Sequence, residues 1–420
     1  MFYITKKYVF VVVFAFVFVE NNNAQSTIST RSILATAKNK NNVLLQERKI
    51  ETMANTSYLF PLIDKVGIQT ETDRFQLQRQ EYTGRVWFNG LSESKTQNQR
   101  KQTNLMLERA QRSVLFQDVL FDRYVLLEAY RHAQKSLDMS RRLSTVFADK
   151  RAILQRMAIL SPEFNVEDLI KAEQSAFDFQ EKTLDAEGSM HNISHYWQRI
   201  VNAVDSLQLD TTGWIPLSMV RRLVTELPNN ALKNPQLARQ EARISLLQAD
   251  YEIEKAQDKK ILDYAQVKNQ TRSNKDFVYR EWSVGLGFLI PFRGSSKVAL
   301  GNLALQKVEE ENKLQNTKAD MDDQIFKIRQ DLNLIFQTYD AINQQIADSQ
   351  TTYSMEQYAK VQGAQPLVLL RMQELILQRQ AKLIALEHSA FQNYLSLLNL
   401  SGKLSELPLV NYLSAGLEAF

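Results

Sequence analysis

Along residues 282–292 the chain alternates between two kinds of side chain. Trp282, Val284, Leu286, Phe288, Ile290 and Phe292 are large and apolar, whereas Ser283, Gly285 and Gly287 between them are small. A period of two puts the bulky set on one face of an extended strand, the pattern of a barrel strand with that face turned to lipid. A fainter version runs through Tyr82, Val86 and Phe88, opposite Thr83 and Arg85. The two patterns predict strands at about 79–90 and 279–292. A polar stretch precedes each, Gln69 to Gln78 and Asn269 to Asp276, and reads as the exposed loop of a hairpin. The partner strands then fall at about 59–68 and 262–268. Tyr279 and Trp282 suit an aromatic girdle at a membrane interface.

Each strand pair leads into a very long helical run. Residues 91–161 contain neither glycine nor proline, and after Gly301 neither recurs before Gly363. The two runs predict helices at 91–161 and 295–362, and the first would be about 105 Å long at 1.5 Å per residue. Leu115, Val119, Leu126 and Tyr130 lie four or seven residues apart. One stripe is therefore expected to pack on neighbouring helices, coiled-coil-like but without a strict heptad. Approaching helices are predicted at 32–58 and 236–264, and returning helices at 166–206 and 367–401.

The order helix, strand, loop, strand, long helix, tip, returning helix thus occurs twice. Phe88 and Gly90 match Phe292 and Gly294 at an offset of 204, and the breaker Pro162 matches Gly363 at 201. Landmarks so nearly in step indicate an internal duplication. The predicted organisation is a first repeat at 25–206, a connector at 207–233 containing Gly213, Pro216 and Pro228, a second repeat at 234–402 and a tail at 403–420.

Composition narrows the setting. Lys6 and Lys7 precede an apolar core from Tyr8 to Val19 and a polar stretch ending at Ala24, so residues 1–24 read as a secretory signal peptide. Its apolar run is shorter than the roughly 20 residues that span a bilayer as a helix, and no later run approaches that length. Cysteine is absent, which excludes disulfides and a lipid-bearing cysteine. The formal charge is +4, from 51 basic and 47 acidic residues spread along the chain. So mild an excess argues against a nucleic-acid surface. Only 12 glycines and 8 prolines occur in 420 residues, as in a mainly α protein.

Four strands cannot close a barrel, because the smallest outer-membrane barrels have about eight. Open edges are not tolerated in hydrocarbon, so such a chain must oligomerise. Three copies would supply twelve strands.

The sequence resembles the TolC-type family of outer-membrane efflux and secretion channels. In the second half the resemblance is carried by Asn234, Pro235 and Leu237, by Val284, Gly285, Leu286, Ile290 and Pro291, and by the closing stretch from Leu383 to Gly402 with Tyr394, Leu397 and Leu398. Leu59, Pro61, Phe88 to Gly90, Val166, Asp168, Leu169 and Ala172 carry it more loosely in the first half. It implies a homotrimer with a 12-stranded β-barrel in outer-membrane lipid, continued into the periplasm by an α-helical barrel. It also implies a periplasmic adaptor protein and an inner-membrane pump as partners. The tips, Ser161, Pro162, Glu163 and Phe164 with Gly363, Ala364, Gln365 and Pro366, would lie at the periplasmic entrance. They either dock the adaptor or simply end helices. The family often places acidic residues just after the second tip. Here Leu367 to Met372 offers Arg371 and no carboxylate, while Glu167 and Asp168 follow the first tip, so these three are the expected entrance charges.

No nucleophile with a neighbouring base can be assembled, and neither enzyme activity nor a cofactor is expected. His191 and His195 would share a helix face but lack a third metal ligand, and His132 and His388 are isolated. Two other readings remain. One is a periplasmic coiled-coil structural protein whose strands pack on its own helices; the other is a pump adaptor without a membrane barrel.

Overall fold

The computed structural model describes residues 26–56, 63–72, 80–89, 91–160, 164–201, 207–231, 233–274, 277–288, 294–348, 351–361 and 365–420. The predicted signal peptide lies outside them. The chain runs β1 (Ser26–Ser29), α1 (Thr30–Ala35), α2 (Asn41–Asn55), β2 (Ile63–Thr72), β3 (Gln80–Phe88), α3 (Leu91–Leu160) and α4 (Val166–Val201). It continues through β4 (Leu207–Asp210) and α5 (Leu217–Glu226) into α6 (Pro235–Asp258), β5 (Leu262–Asn274) and β6 (Phe277–Phe288). The last elements are α7 (Gly294–Asp348), α8 (Thr351–Ala359) and α9 (Pro366–Leu400). The protein is mostly helical, and the duplicated order is present: α3 and α7 start 203 residues apart.

The helix expected at 32–58 is broken. A short 3₁₀ turn, Thr36–Asn39, separates α1 from α2, and Lys40 is extended. On a straight helix Leu34 and Val43, nine residues apart, would point to opposite sides. The break lets Ile33, Leu34, Ala37 and Val43 all enter one core, where each is fully buried. Packing thus overrides the local helical preference.

That core forms a belt around the helices. Val119, Tyr124 and Leu127 of α3 meet Trp197 of α4, Val220 of α5, Leu332 of α7 and Tyr394 of α9. The connector lies within it as β4 and α5. β4 pairs in parallel with β1, and Arg329 of α7 donates to the carbonyls of Val224, Leu227 and Pro228 at 2.9, 2.6 and 3.2 Å, which satisfies the C-terminal end of α5. The tail is part of the belt too: Leu404, Leu409 and Leu413 are buried, and Tyr124 Oη donates to the Val410 carbonyl at 2.7 Å. A second, smaller core nearer the tips joins Leu143, Val146 and Phe147 of α3 to Leu377 of α9.

Two motifs singled out in the sequence prove to be neighbours. Asn234 caps α6 by accepting from the Gln236 amide at 2.8 Å, and its Nδ2 donates to the Leu400 carbonyl at 2.9 Å. Gly402 follows in the left-handed region at φ +74, and a Cβ there would collide with the Lys233 carbonyl. The opening of the second repeat is therefore latched to the end of α9.

Candidate conduit surfaces

All four long strands form one antiparallel sheet in the order β2-β3-β5-β6. The two hairpins lie side by side, and among the described residues the sheet is open: β2 and β6 each have a strand partner on one edge only. The strands run further than their apolar pattern. β2 reaches Thr72 and β5 reaches Asn274, taking in residues read from sequence as loop. Ile290 and Phe292 lie outside the described residues, as does Gly90.

Directly paired residues share a face, so the register sorts the sheet. One face carries Val66 and Ile68, Val86 and Tyr82, Ala265 and Val267, and Leu286, Val284 and Trp282. Much of it is bare: Ile68 is 82% exposed, and Trp282, Val284, Leu286 and Phe288 are 72, 77, 58 and 64% exposed. The predicted lipid-facing set therefore shares one exposed face as far as Phe288.

The opposite face is polar and ordered in rows. At the end nearest the helices Lys65, Trp87, Tyr264 and Gly287 line up across the four strands. Next come Gly67, Arg85, Gln266 and Gly285, then Gln69, Thr83, Lys268 and Ser283, and then Glu71, Glu81, Gln270 and Glu281, the outermost row to span all four strands, beyond which β5 and β6 pair on through Arg272 and Tyr279. Each aromatic ring of the first row lies over a glycine. A Cβ at Gly67 would come within 2.7 Å of the Trp87 ring, and one at Gly287 would overlap the Tyr264 ring. Arg85 sits between the rings, its Cζ 5.4 Å from the Trp87 centroid and 4.5 Å from that of Tyr264. Its Nε and Nη2 both donate to Gln266 Oε1, at 3.3 and 3.0 Å.

At the other end of the molecule α3 turns into α4 and α8 approaches α9. Ser161, Pro162, Glu163, Gly363 and Ala364 lie outside the described residues. Phe164 and Gln365 precede α4 and α9, and Pro366 opens α9 at its first helical position, where its missing N–H costs nothing. Of the entrance charges, Asp168 and Arg371 face each other across the two hairpins, Oδ2 to Nη2 at 3.6 Å. Glu167 instead pairs along its own helix with Lys171 at 3.0 Å.

The histidines divide differently from the expectation. His191 and His195 are exposed on α4. His132 and His388, far apart in sequence, are stacked with ring centroids 3.8 Å apart. His388 Nδ1 is 2.7 Å from Oε2 of the buried Glu128. Burial, and next the charge on His388, lower the His132 pKa to about 4. Sequence spacing holds no signal for this contact, because it joins α3 to α9. Among the described residues no cluster of three or more His, Cys, Asp or Glu suits a metal ion, and no helix is long and apolar enough to cross a membrane.

An exposed apolar sheet on one end of long helical hairpins defines a class, and solved structures share it. The chain aligns with the outer membrane protein VceC of Vibrio cholerae at a TM-score of 0.63 and 12% identity, covering 89% of this chain and 96% of that one. For the open MtrE outer membrane channel of Neisseria gonorrhoeae the values are 0.62 and 11%, over 89% and 88%. For the CmeC outer membrane channel of Campylobacter jejuni they are 0.62 and 11%, over 89% and 85%. No protein-family model and no curated protein matches the sequence. At these identities what is shared is the fold, and the resemblance to TolC-type channels drawn from sequence motifs holds at that level.

Proposed function

We propose that this chain is one third of a passive outer-membrane exit duct, a homotrimer whose twelve strands close a barrel and whose helices form a periplasmic tube. The observation that carries this reading is the sheet. It is apolar on one face and polar on the other, and it ends in two strands without an outer partner. In hydrocarbon such edges must be paired, and a second and third copy of β2 and β6 would pair them. Exposed apolar residues on α4 (Ile170, Phe177 and Leu184) and on α7 (Leu305, Val308, Phe326 and Leu334) supply further surface for neighbouring copies.

Helices of 70 and 55 residues, α3 and α7, about 105 and 82 Å long, suit a conduit that must cross an aqueous compartment while keeping a lumen. The tips would meet a periplasmic adaptor, and an inner-membrane pump would supply the energy. The proposal includes no catalytic step. The alternative of a soluble rod requires Trp282 to Phe288 to pack on the chain's own helices, and the exposure of those residues counts against it. The adaptor alternative is disfavoured by the two long-helix repeats and by the fold shared with outer-membrane channels.

The test is fractionation with cross-linking. Recovery in the outer-membrane fraction as a trimer is expected, and a soluble monomer after export would overturn the reading.

A further inference from the structure

The polar face of the sheet is charge-graded along the strands. In the four rows that span all four strands the carboxylates are Glu71, Glu81 and Glu281, all in the outermost of these rows, and Glu81 is paired with Lys268. The two rows nearest the helices carry Lys65 and Arg85 and no acid. The rows of Arg85 and Glu81 are four residues apart, about 13 Å along a strand. That exceeds the Debye length of about 8 Å at physiological salt, so the basic and acidic ends act as separate sites.

The basic end is also the more constructed one. The glycines at positions 67, 285 and 287 leave room for the Trp87 ring, the Gln266 side chain and the Tyr264 ring, and Arg85 lies half-buried between the two rings. Among the described residues its partners are a neutral amide and two π-faces. These orient a guanidinium without neutralising it. Lys65 Nζ stands 4.7 Å from the Trp87 centroid on the ring's far strand, adding a second cation beside the same aromatic pair.

We propose that Arg85, supported by Lys65, Trp87 and Tyr264, forms an anion-selecting collar where the barrel meets the helical tube, and that it favours organic anions with a planar aromatic part. This rests on the barrel reading above, which turns the polar face to the lumen. A carboxylate or sulfonate would take the open edge of the guanidinium, and its ring would stack beside Trp87 or Tyr264. Three copies would place six cations around one level of the pore, as charged rings do in selective channels.

The test is conductance of the trimer in planar bilayers. Under a potassium chloride gradient the wild-type reversal potential should show anion preference, and Arg85→Gln should move it toward cations. Naphthalene-1,5-disulfonate on one side should reduce the wild-type current, and R85Q should weaken that block by about threefold or more. Single-channel current in the variant shows that it has folded and inserted. Where R85Q fails to assemble, Lys65→Gln on the exposed edge strand carries the same predicted shift. A protein that never conducts would overturn the duct reading itself. A conducting protein whose reversal potential and block are the same in the variants as in the wild type would overturn the collar alone.

Discussion

Arg371 Nη2 lies 3.6 Å from Asp168 Oδ2, joining the second turn of α9 to the first turn of α4 next to the two tips. Both side chains are about half exposed, so the pair is worth at most about 1 kcal/mol. A link this weak can be broken by modest work at the tips, as a gate requires. Arg371→Glu places two like charges there. It should raise the single-channel conductance while leaving the thermal midpoint of the helices nearly unchanged. Equal conductance in variant and wild type would remove this pair from any gating role.

The sheet faces give a paired prediction. Leu286→Arg puts a charge on the apolar face near mid-strand and should cost about 2–4 kcal/mol if that face meets hydrocarbon. Ser283→Arg, on the polar face, should assemble normally. Trimer recovery from membranes reads both, and equal recovery of the two variants would mean that the faces are wrongly assigned.

Glycines 402 and 301 should respond in opposite directions. Gly402→Ala forces a side chain into the left-handed region and against the Lys233 carbonyl, costing about 1–3 kcal/mol. A Cβ at Gly301, within α7, meets nothing within 4 Å. Gly301→Ala should therefore stabilise by about 0.5–1 kcal/mol. Thermal midpoints of the two variants check the pair, and a neutral Gly402→Ala would undo the latch between α6 and α9.

The stacked histidines predict a pH slope. In the unfolded chain His132 regains the ordinary value of about 6.5, whereas burial holds it at about 4 in the folded protein, with His388 and Lys135 acting the same way and Glu387 opposing. Between these values the unfolded state binds more protons. Stability should therefore fall as pH drops through this window and be retained above it. His132→Gln should flatten the curve of thermal midpoint against pH across the window, and an unaltered slope would assign the titration elsewhere.

What the sequence revealed depends on range. Trp282 to Phe288 was legible because burial on one face writes a period of two. The outer ends of β2 and β5 were not, since Gln69 to Thr72 and Gln270 to Asn274 are polar on both faces and take their place in the sheet through backbone pairing. The long helix α3 was legible from missing breakers, whereas the run expected at 295–362 is described as two helices, α7 to Asp348 and α8 from Thr351 to Ala359. The break before α2 was not, because Lys40 and its neighbours carry no glycine or proline and the reason lies in Val43 reaching a distant core. The rows on the polar face, the Arg371–Asp168 pair and the His132–His388 stack all need the register or the packing of separate repeats. The alternation of Thr83 and Arg85 marked only which side Arg85 would take.

The belt also limits how the long helices can move. Its contacts on α3 centre on Val119 to Tyr130, leaving about 45 Å of helix from Tyr130 to Leu160 at the tip. The connector and the tail clamp the helices near mid-length, which makes each hairpin a lever on a fixed fulcrum. A tilt of about 5° at the belt would carry a tip about 4 Å while the strands on the far side stayed still, so in the proposed duct the tips would part without unpairing the sheet.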